Sequence, residues 1–380
     1  MNKFTIPFNK PYVGRKSVEY VSGALTSGKL SGDGPICKSV EAQLQSMFQV
    51  RHALLASSCT HALEMAMMLL DLKSGDEVIL PSYTFVSTAN AVLSGGGKPV
   101  FCDINERTLT MDIRDLERKI SPRTKAIIPV HYAGVAAEMD EINALAKKGA
   151  IHVVEDAAQG VNAKYKGKFL GTLGNAGTYS FHDTKNYISG EGGAFLTHDE
   201  SLARKAEILR EKGTNRSNFL RGEVDKYTWV SHGSSFILSE ILAALLKGQL
   251  EELDFIQERR KEIHLKYCSG LKDLEAKEKI RLPVIPEYCQ SNFHIFYVLL
   301  RSEMERVRMM KELKNRGIGS AFHYVPLHSA PFARQTLGTE KLQLPVTDRT
   351  YENLLRLPIY PQLSDAEVDY VIESIHDILP

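Results

Sequence analysis

At 380 residues the chain is longer than one hydrophobic core organises well, so a large domain, a smaller one and a cleft between them are expected. Its 43% hydrophobic and 24% charged residues exclude a disordered or fibrous chain. A formal net charge of +1, with acids and bases mixed throughout, offers no field for nucleic acid or an anionic lipid surface, so a small-molecule partner is expected.

The N-terminal stretch lacks the apolar run of a signal peptide. No later stretch approaches the roughly 20 apolar residues of a membrane span, so the expectation is a cytoplasmic protein. The five cysteines (Cys37, Cys59, Cys102, Cys268, Cys289) are odd in number and form no C-x-x-C pair, which argues against disulfides and structural zinc. The 12 histidines include no H-x-x-x-H pair, so no metal site is expected.

Short runs rich in Val, Ile and Phe alternate with helical patterns from about residue 50 to 200, the signature of βα units on a mostly parallel sheet. Strands are expected at 77–80, 99–103, 126–131, 153–156, 177–181 and 194–197. Apolar spacing predicts helices over 61–70 and 203–212, the second stopped by Gly213. A helix from Ser239 runs into a charged stretch at Glu258 to Glu262, where the domain change is placed: a large domain over 1–255 and a small α+β domain over 256–380. In the latter, 293–300 and 321–324 read as strands and 303–316 as a helix ended by Gly317. Ser364 and Glu367 form a capping box for the last helix.

Three segments carry chemistry together. SSCTHALEMA, from Ser57, opens a helix on a polar cluster, so free amides and the hydroxyls of Ser58, Cys59 and Thr60 would face an anion, though Ser and Thr are also ordinary N-caps. VVEDAAQG, from Val153, puts acids at the carboxyl end of a buried strand, where open α/β sheets place ligands; a strand-end Asp is also a common turn residue. SFHDTKNYISGEGGA, from Ser180, places Lys185 before a turn at Gly190, Gly192 and Gly193. A lone loop lysine is normally a solvated charge, but one held against apolar surface can stay neutral and condense with an aldehyde. There is no Walker A motif and no strand-to-helix G-x-G-x-x-G, which disfavours P-loop and Rossmann enzymes.

The runs PSYTFVSTANAV, VVEDAAQG and SFHDTKN with GEGGA resemble the DegT/StrS-type sugar aminotransferases, a fold-type I family dependent on pyridoxal phosphate, and the likeness continues through RLPIYPQLS near the C-terminus. The resemblance implies that Lys185 is the catalytic lysine, Asp156 pairs with the pyridine nitrogen, Gln159 faces the cofactor's phenolic oxygen and Phe85 stacks on the ring. It implies further that Ser58, Cys59, Thr60 and Ser180 hold the phosphate. Many relatives carry a Gly-x-Asn-x-Arg pattern whose asparagine reaches the partner subunit's cofactor phosphate; here Ser235 and Ile237 stand in those places.

By the same resemblance the substrates are L-glutamate and a nucleotide-linked 4-keto-6-deoxy sugar (dTDP-4-keto-6-deoxy-D-glucose), and the protein is a homodimer with shared sites. Arg216, Lys226, His323, Tyr324 and His328 are candidates to contact the nucleotide sugar; the plainer alternative makes them surface or dimer-contact residues. The gluco epimer of the product, another nucleotide sugar, a sugar dehydratase and a non-catalytic protein on the same fold remain open. The dehydratase branch replaces the lysine by histidine.

Overall fold

The computed structural model describes residues 4–379. Twelve strands follow in chain order: β1 (His52–Ala56), β2 (Glu77–Pro81), β3 (Lys98–Cys102), β4 (Thr124–Ile127), β5 (His152–Asp156), β6 (Lys164–Tyr165), β7 (Lys168–Phe169), β8 (Ala176–Ser180), β9 (Gly193–Thr197), β10 (Cys289–Gln290), β11 (Phe296–Leu299) and β12 (Leu354–Leu357). Seven of them form one sheet in the order β1-β9-β8-β5-β4-β2-β3. Only β9 runs against the rest of that sheet, antiparallel to both β1 and β8. The result is the expected mostly parallel α/β sheet. Its strands β2, β8 and β9 are buried at every position, as continuous apolar runs require when helices cover both faces.

Four expectations need correction. The strand expected over 126–131 ends at Ile127, and Val130 beyond it makes only an isolated bridge to Asp156. β1 was not expected, because His-Ala-Leu-Leu-Ala lacks the β-branched residues that mark a strand; pairing with β9 overrides its propensity. The strand expected over 293–300 is confined to Phe296–Leu299, since Phe293 sits at φ +54, in the left-handed region. No strand forms over 321–324: Ala321 makes an isolated bridge to Arg356, and the chain then leaves the edge of β12. The helices fare better. Ser58 caps Cys59–Leu69, Asp199 caps Glu200–Arg210, and Gly213 lies at φ +74. Ser364 and Glu367 form the capping box of Asp365–Ile378.

The helix Glu240–Glu251 gives way at Glu252 to a long helix, Leu253–Ala276, that carries the chain from one core to another. Ile256 packs with the sheet's core, whereas Ile263, Tyr267 and Leu271 pack with β11, β12 and the last helix. Ile6 belongs to this second core too, so the chain's start is tied to its C-terminal part. No helix among the described residues is long and apolar enough to cross a membrane.

Arg210 anchors β1 from behind. It is 2% exposed and donates to Glu41 (2.6 Å), to Asp33 (2.9 Å) and to the carbonyl of Leu55 (2.8 Å), while Glu41 accepts the Leu55 amide. Removing one partner of such a buried cluster leaves uncompensated charge, so Arg210→Ala is expected to lower the unfolding free energy by about 3–5 kcal/mol. A urea midpoint unchanged from the parent protein would contradict this.

Candidate active site

Each segment singled out in the sequence ends at the same edge of the sheet. β1 turns at Ser57 into the helix Cys59–Leu69, and the Ser58 hydroxyl accepts the His61 amide at 3.0 Å. Helix geometry leaves the amides of Cys59 and Thr60 to an outside acceptor. The glycine-rich turn makes room for this loop: a Cβ on Gly193 would lie 2.4 Å from the Cys59 nitrogen. Gly190, at φ +86, supplies the left-handed turn that the sequence suggested, whereas Gly193 is required for close approach.

Strand alternation splits the neighbouring acids of β5. Glu155 is fully buried and accepts from His131 (2.8 Å) and from the amides of Gly171, Leu173 and Gly174. Asp156 faces the other way. Its carboxylate accepts the Thr88 hydroxyl at 2.8 Å and the Ala158 amide at 3.2 Å, which fixes its plane and leaves further lone pairs for a cationic donor. Gln159 accepts the Ala133 amide at 2.7 Å and donates to the Tyr324 hydroxyl at 3.0 Å.

Between these groups lies a cavity of about 500 Å³. Lys185 and Asp156 both line it, together with Ser58, Cys59, Thr60 and Ser180. Phe85, Gln159, His323 and Tyr324 complete the set that the sequence brought forward. Four other candidates do not line it. Ser235 is exposed, with its backbone bridged to Glu211; Arg216 is paired with Glu211 at 3.0 Å; Lys226 is exposed; and His328 is buried between Ser82 and Asp348.

Electrostatics sort the cavity's groups by role. Burial pushes the Lys185 ammonium below its ordinary range; Cys59 and Asp156 oppose the shift, and the charge of Arg356 adds to it. A larger neutral fraction of the amine follows. Burial likewise holds the Cys59 thiol up to about 12, so it serves as a small apolar wall rather than a nucleophile. Thr60 shares a 2.7 Å hydrogen bond with Ser87, which orients its hydroxyl.

Other cavity residues were not foreseen. Thr88 lies in the quoted run PSYTFVSTANAV, one helical turn beyond Thr84, with which it shares a 2.9 Å hydrogen bond; that spacing was the available signal. Arg260 and His294 line the cavity from the segment that leads into the C-terminal core, and Arg356 begins the RLPIYPQLS run. His294 Nδ1 lies 2.8 Å from Asn186 Oδ1. Because the Asn186 amide donates to the Asn292 carbonyl, that oxygen is an acceptor and Nδ1 carries the proton.

A lysine amine, a strand-end carboxylate and a helix start bearing hydroxyls in one cavity fit an aldehyde cofactor with a ring nitrogen at one end and a phosphate at the other. The family model of the DegT/DnrJ/EryC1/StrS aminotransferases matches residues 11–376. The chain belongs to that family. The spore coat polysaccharide biosynthesis protein SpsC of Bacillus subtilis is 34% identical over 381 residues, 98% of this chain and 97% of SpsC. Spr1654 of Streptococcus pneumoniae, assigned as a sugar aminotransferase and solved with PLP and in a PMP form, superposes with a TM-score of 0.91 at 29% identity. That match covers 99% of this chain and 98% of the PLP-form chain. PseC of Helicobacter pylori, an aminotransferase of pseudoaminic acid biosynthesis, gives 0.89 at 26% identity, with 99% of each chain covered. The DegT-family fold is thus a fold-type I aminotransferase, and its cofactor is pyridoxal phosphate.

Two deeply buried histidines, His294 lining the cavity and His264 packed against Phe293 and Phe296, make stability depend on pH. Burial lowers His264 to about 4 and pulls His294 well below its ordinary value. Below an unfolded-state pKa of about 6.5 the unfolded chain binds protons that the folded chain refuses, so stability falls as pH falls. The expected slope between pH 6 and 5 is roughly 2–3 kcal/mol per unit for the pair. Denaturant unfolding at both pH values measures it; a flat profile contradicts neutral burial.

Proposed function

We propose that this family member moves the amine of L-glutamate onto the C4 ketone of dTDP-4-keto-6-deoxy-D-glucose, giving dTDP-4-amino-4,6-dideoxy-D-galactose. The observation that carries the chemical half of this reading is that Lys185 and Asp156 line one cavity with Ser58, Cys59 and Thr60. The choice of sugar rests on sequence alone. The stretches GDEVILPSYTFVSTANAV, PVHYAGVAAEMD, EKGTNRSNF and VDKYTW resemble the dTDP-4-amino-4,6-dideoxygalactose transaminase of enterobacterial common antigen synthesis. The gluco epimer is the nearest alternative product, since the face on which the proton is returned decides it.

When bound, pyridoxal phosphate supplies an aldehyde that takes up amines and a ring that draws electrons from the carbon bearing them. In this reading Ser58, Thr60, Ser180 and the amides of the helix start hold its phosphate, and Phe85 lies against its ring. Asp156, kept in place by Thr88 and the Ala158 amide, keeps the ring nitrogen protonated. Gln159, which gives one N–H to Tyr324, would offer the other to the phenolic oxygen. Lys185 would hold the cofactor's aldehyde at rest, and its amine would take the proton from the donor's α-carbon and return one at the sugar's C4. Its lowered pKa suits the first of these tasks.

A homodimer belongs to the same proposal. Trp229, the chain's single tryptophan, is 78% exposed, and Leu220 and Tyr227 in the same segment are 62% and 53% exposed. Apolar surface of this kind is suited to contact with another copy. Ser235, Arg216 and Lys226 lie in or beside that segment, so in a dimer they would serve the neighbouring site, Ser235 toward its phosphate.

Lys185→Ala is expected to fold, to lose the visible absorbance of the lysine-bound cofactor and to lose transamination; retained turnover would end the proposal. Incubation with glutamate and a panel of nucleotide-linked 4-keto sugars, with products identified by mass and NMR, tests the substrate. Light scattering should give twice the chain mass of 42.4 kDa, and a monomer would remove the shared site.

A further inference from the structure

The segment 322–326 brings His323 and Tyr324 to the cavity, yet it belongs to no helix or strand. Beyond the bridge of Ala321 to Arg356, residues 322–325 make no backbone–backbone hydrogen bond among the described residues. The end of β2 holds the segment instead. The Leu327 amide donates to the Ser82 carbonyl at 3.0 Å, the His328 amide donates to the Ser82 hydroxyl at 3.0 Å, and the Tyr83 hydroxyl donates to the His323 carbonyl. Ser82 follows directly on β2, and its amide donates to the carbonyl of Cys102 in β3 at 3.0 Å, so this anchor is part of the sheet.

One side-chain bond completes the attachment. The Ser82 hydroxyl lies 2.8 Å from His328 Nδ1, with Ser82 0% and His328 3% exposed. The hydroxyl proton has no other acceptor among the described residues, so Nδ1 accepts it. The imidazole proton therefore sits on Nε2, 3.4 Å from a carboxylate oxygen of Asp348. Burial holds the ring below its ordinary value against the pull of Asp348 and Asp103, as a neutral imidazole in this bond requires. Serine, histidine and aspartate in a row are also the parts of a hydrolytic triad. A hydroxyl that is sealed from solvent and already accepts an amide cannot attack a substrate, however.

We propose that Ser82 and His328 are positioning residues of the active site: their hydroxyl-to-imidazole bond holds the segment 322–328 on the end of β2 and thereby sets where the Tyr324 and His323 rings stand in the cavity wall. Both rings are joined in turn to the sheet side of the cavity. The Tyr324 hydroxyl accepts from Gln159 at 3.0 Å, and the Tyr132 hydroxyl lies 3.0 Å from His323 Nδ1. Neither Ser82 nor His328 lines the cavity, so their influence passes through the backbone that links them to these rings. Gln159 stands at the end of the line. Tyr324 takes one of its N–H groups and the Ala133 amide fixes its oxygen, which settles the direction of the remaining N–H. The use made of that N–H rests on the transaminase reading above, in which it meets the cofactor's phenolic oxygen; the attachment of the segment does not.

Amide hydrogen exchange of the cofactor-free protein tests the attachment, and the visible absorbance of the lysine-bound cofactor tests what it transmits. Ser82→Ala and His328→Leu should each speed exchange in the peptide covering 323–330 by about 10-fold, the loss of about one hydrogen bond. In the holoenzyme both should raise the pH midpoint of the visible band by about 0.5–1 unit, because a misdirected Gln159 no longer stabilises the negative phenolic oxygen. A change in overall stability alone would leave that midpoint in place. His328→Asn, whose side-chain oxygen can accept from Ser82 near the Nδ1 position, should bring both readouts most of the way back. In the parent protein, nitrogen NMR of labelled histidine should find His328 protonated on Nε2 alone; a proton on Nδ1 overturns the proposal. If Ser82→Ala gives no cooperative thermal transition, the two His328 variants and this spectrum carry the test. Unchanged exchange, or faster exchange with an unmoved midpoint, overturns the positioning role. A parent protein with no band of lysine-bound cofactor refutes the transaminase reading itself, while exchange and NMR still decide whether the segment is held in this way.

Discussion

The site depends on a carboxylate held in a fixed orientation inside a cavity. Asp156 is 5% exposed, and taking such a group out of water is costly unless hydrogen bonds replace the water. Thr88 and the Ala158 amide do so from two directions, one on each oxygen. The support extends outward: Thr84 orients Thr88, and the backbone of Asp156 is bridged to Val130 and His131, just beyond β4. On the other face of β5, Glu155 gathers His131 and three amides and thereby pins the loop over 171–174. Two adjacent acids thus do different work. One is consumed by the architecture, and the other is left with capacity to spare.

That division explains what the sequence could reveal. The run VVED announces a buried strand ending in acids, and period-two alternation requires that only one of them face a ligand; which one is decided by where the loop over 171–174 packs, a tertiary matter. Ser58 and Thr60 were legible because a polar cluster opens a helix there, and Lys185 because it follows an apolar strand and precedes a glycine-rich turn. β1 was hidden by its alanines and leucines, and the supposed strand over 321–324 misled because His323 and Tyr324 turn into the cavity instead of continuing along β12.

Arg356, His294 and Arg260 could not have been found this way. All three belong to the stretch of chain beyond residue 256, and they reach the cavity only because the helix Leu253–Ala276 and the pair β11–β12 bring that stretch back onto the sheet. No spacing rule links position 356 to position 185. The quoted run RLPIYPQLS marked a segment of family likeness, but its first residue carried no chemical signal until the cavity showed it without a partner.

The seam between the two cores is itself tied to the lysine. Asn186, next to Lys185, donates to the Asn292 carbonyl and accepts from His294, while Asn292 donates to the carbonyls of Gln159 and Val161. Two asparagines and a histidine therefore join the lysine loop, the glutamine beside Asp156 and the entry to the C-terminal core in one buried network. Such a network resists separation of the two cores at this point, since opening it would strand several polar groups away from water. Burial pulls His294 well below its ordinary value, and its Nδ1 proton is committed to Asn186, so the imidazole adds no charge to the basic groups already lining the cavity. The positions of the amine and the carboxylate are set before any substrate arrives, which is the condition under which fixed dipoles and charges act on a reaction without reorganising during it.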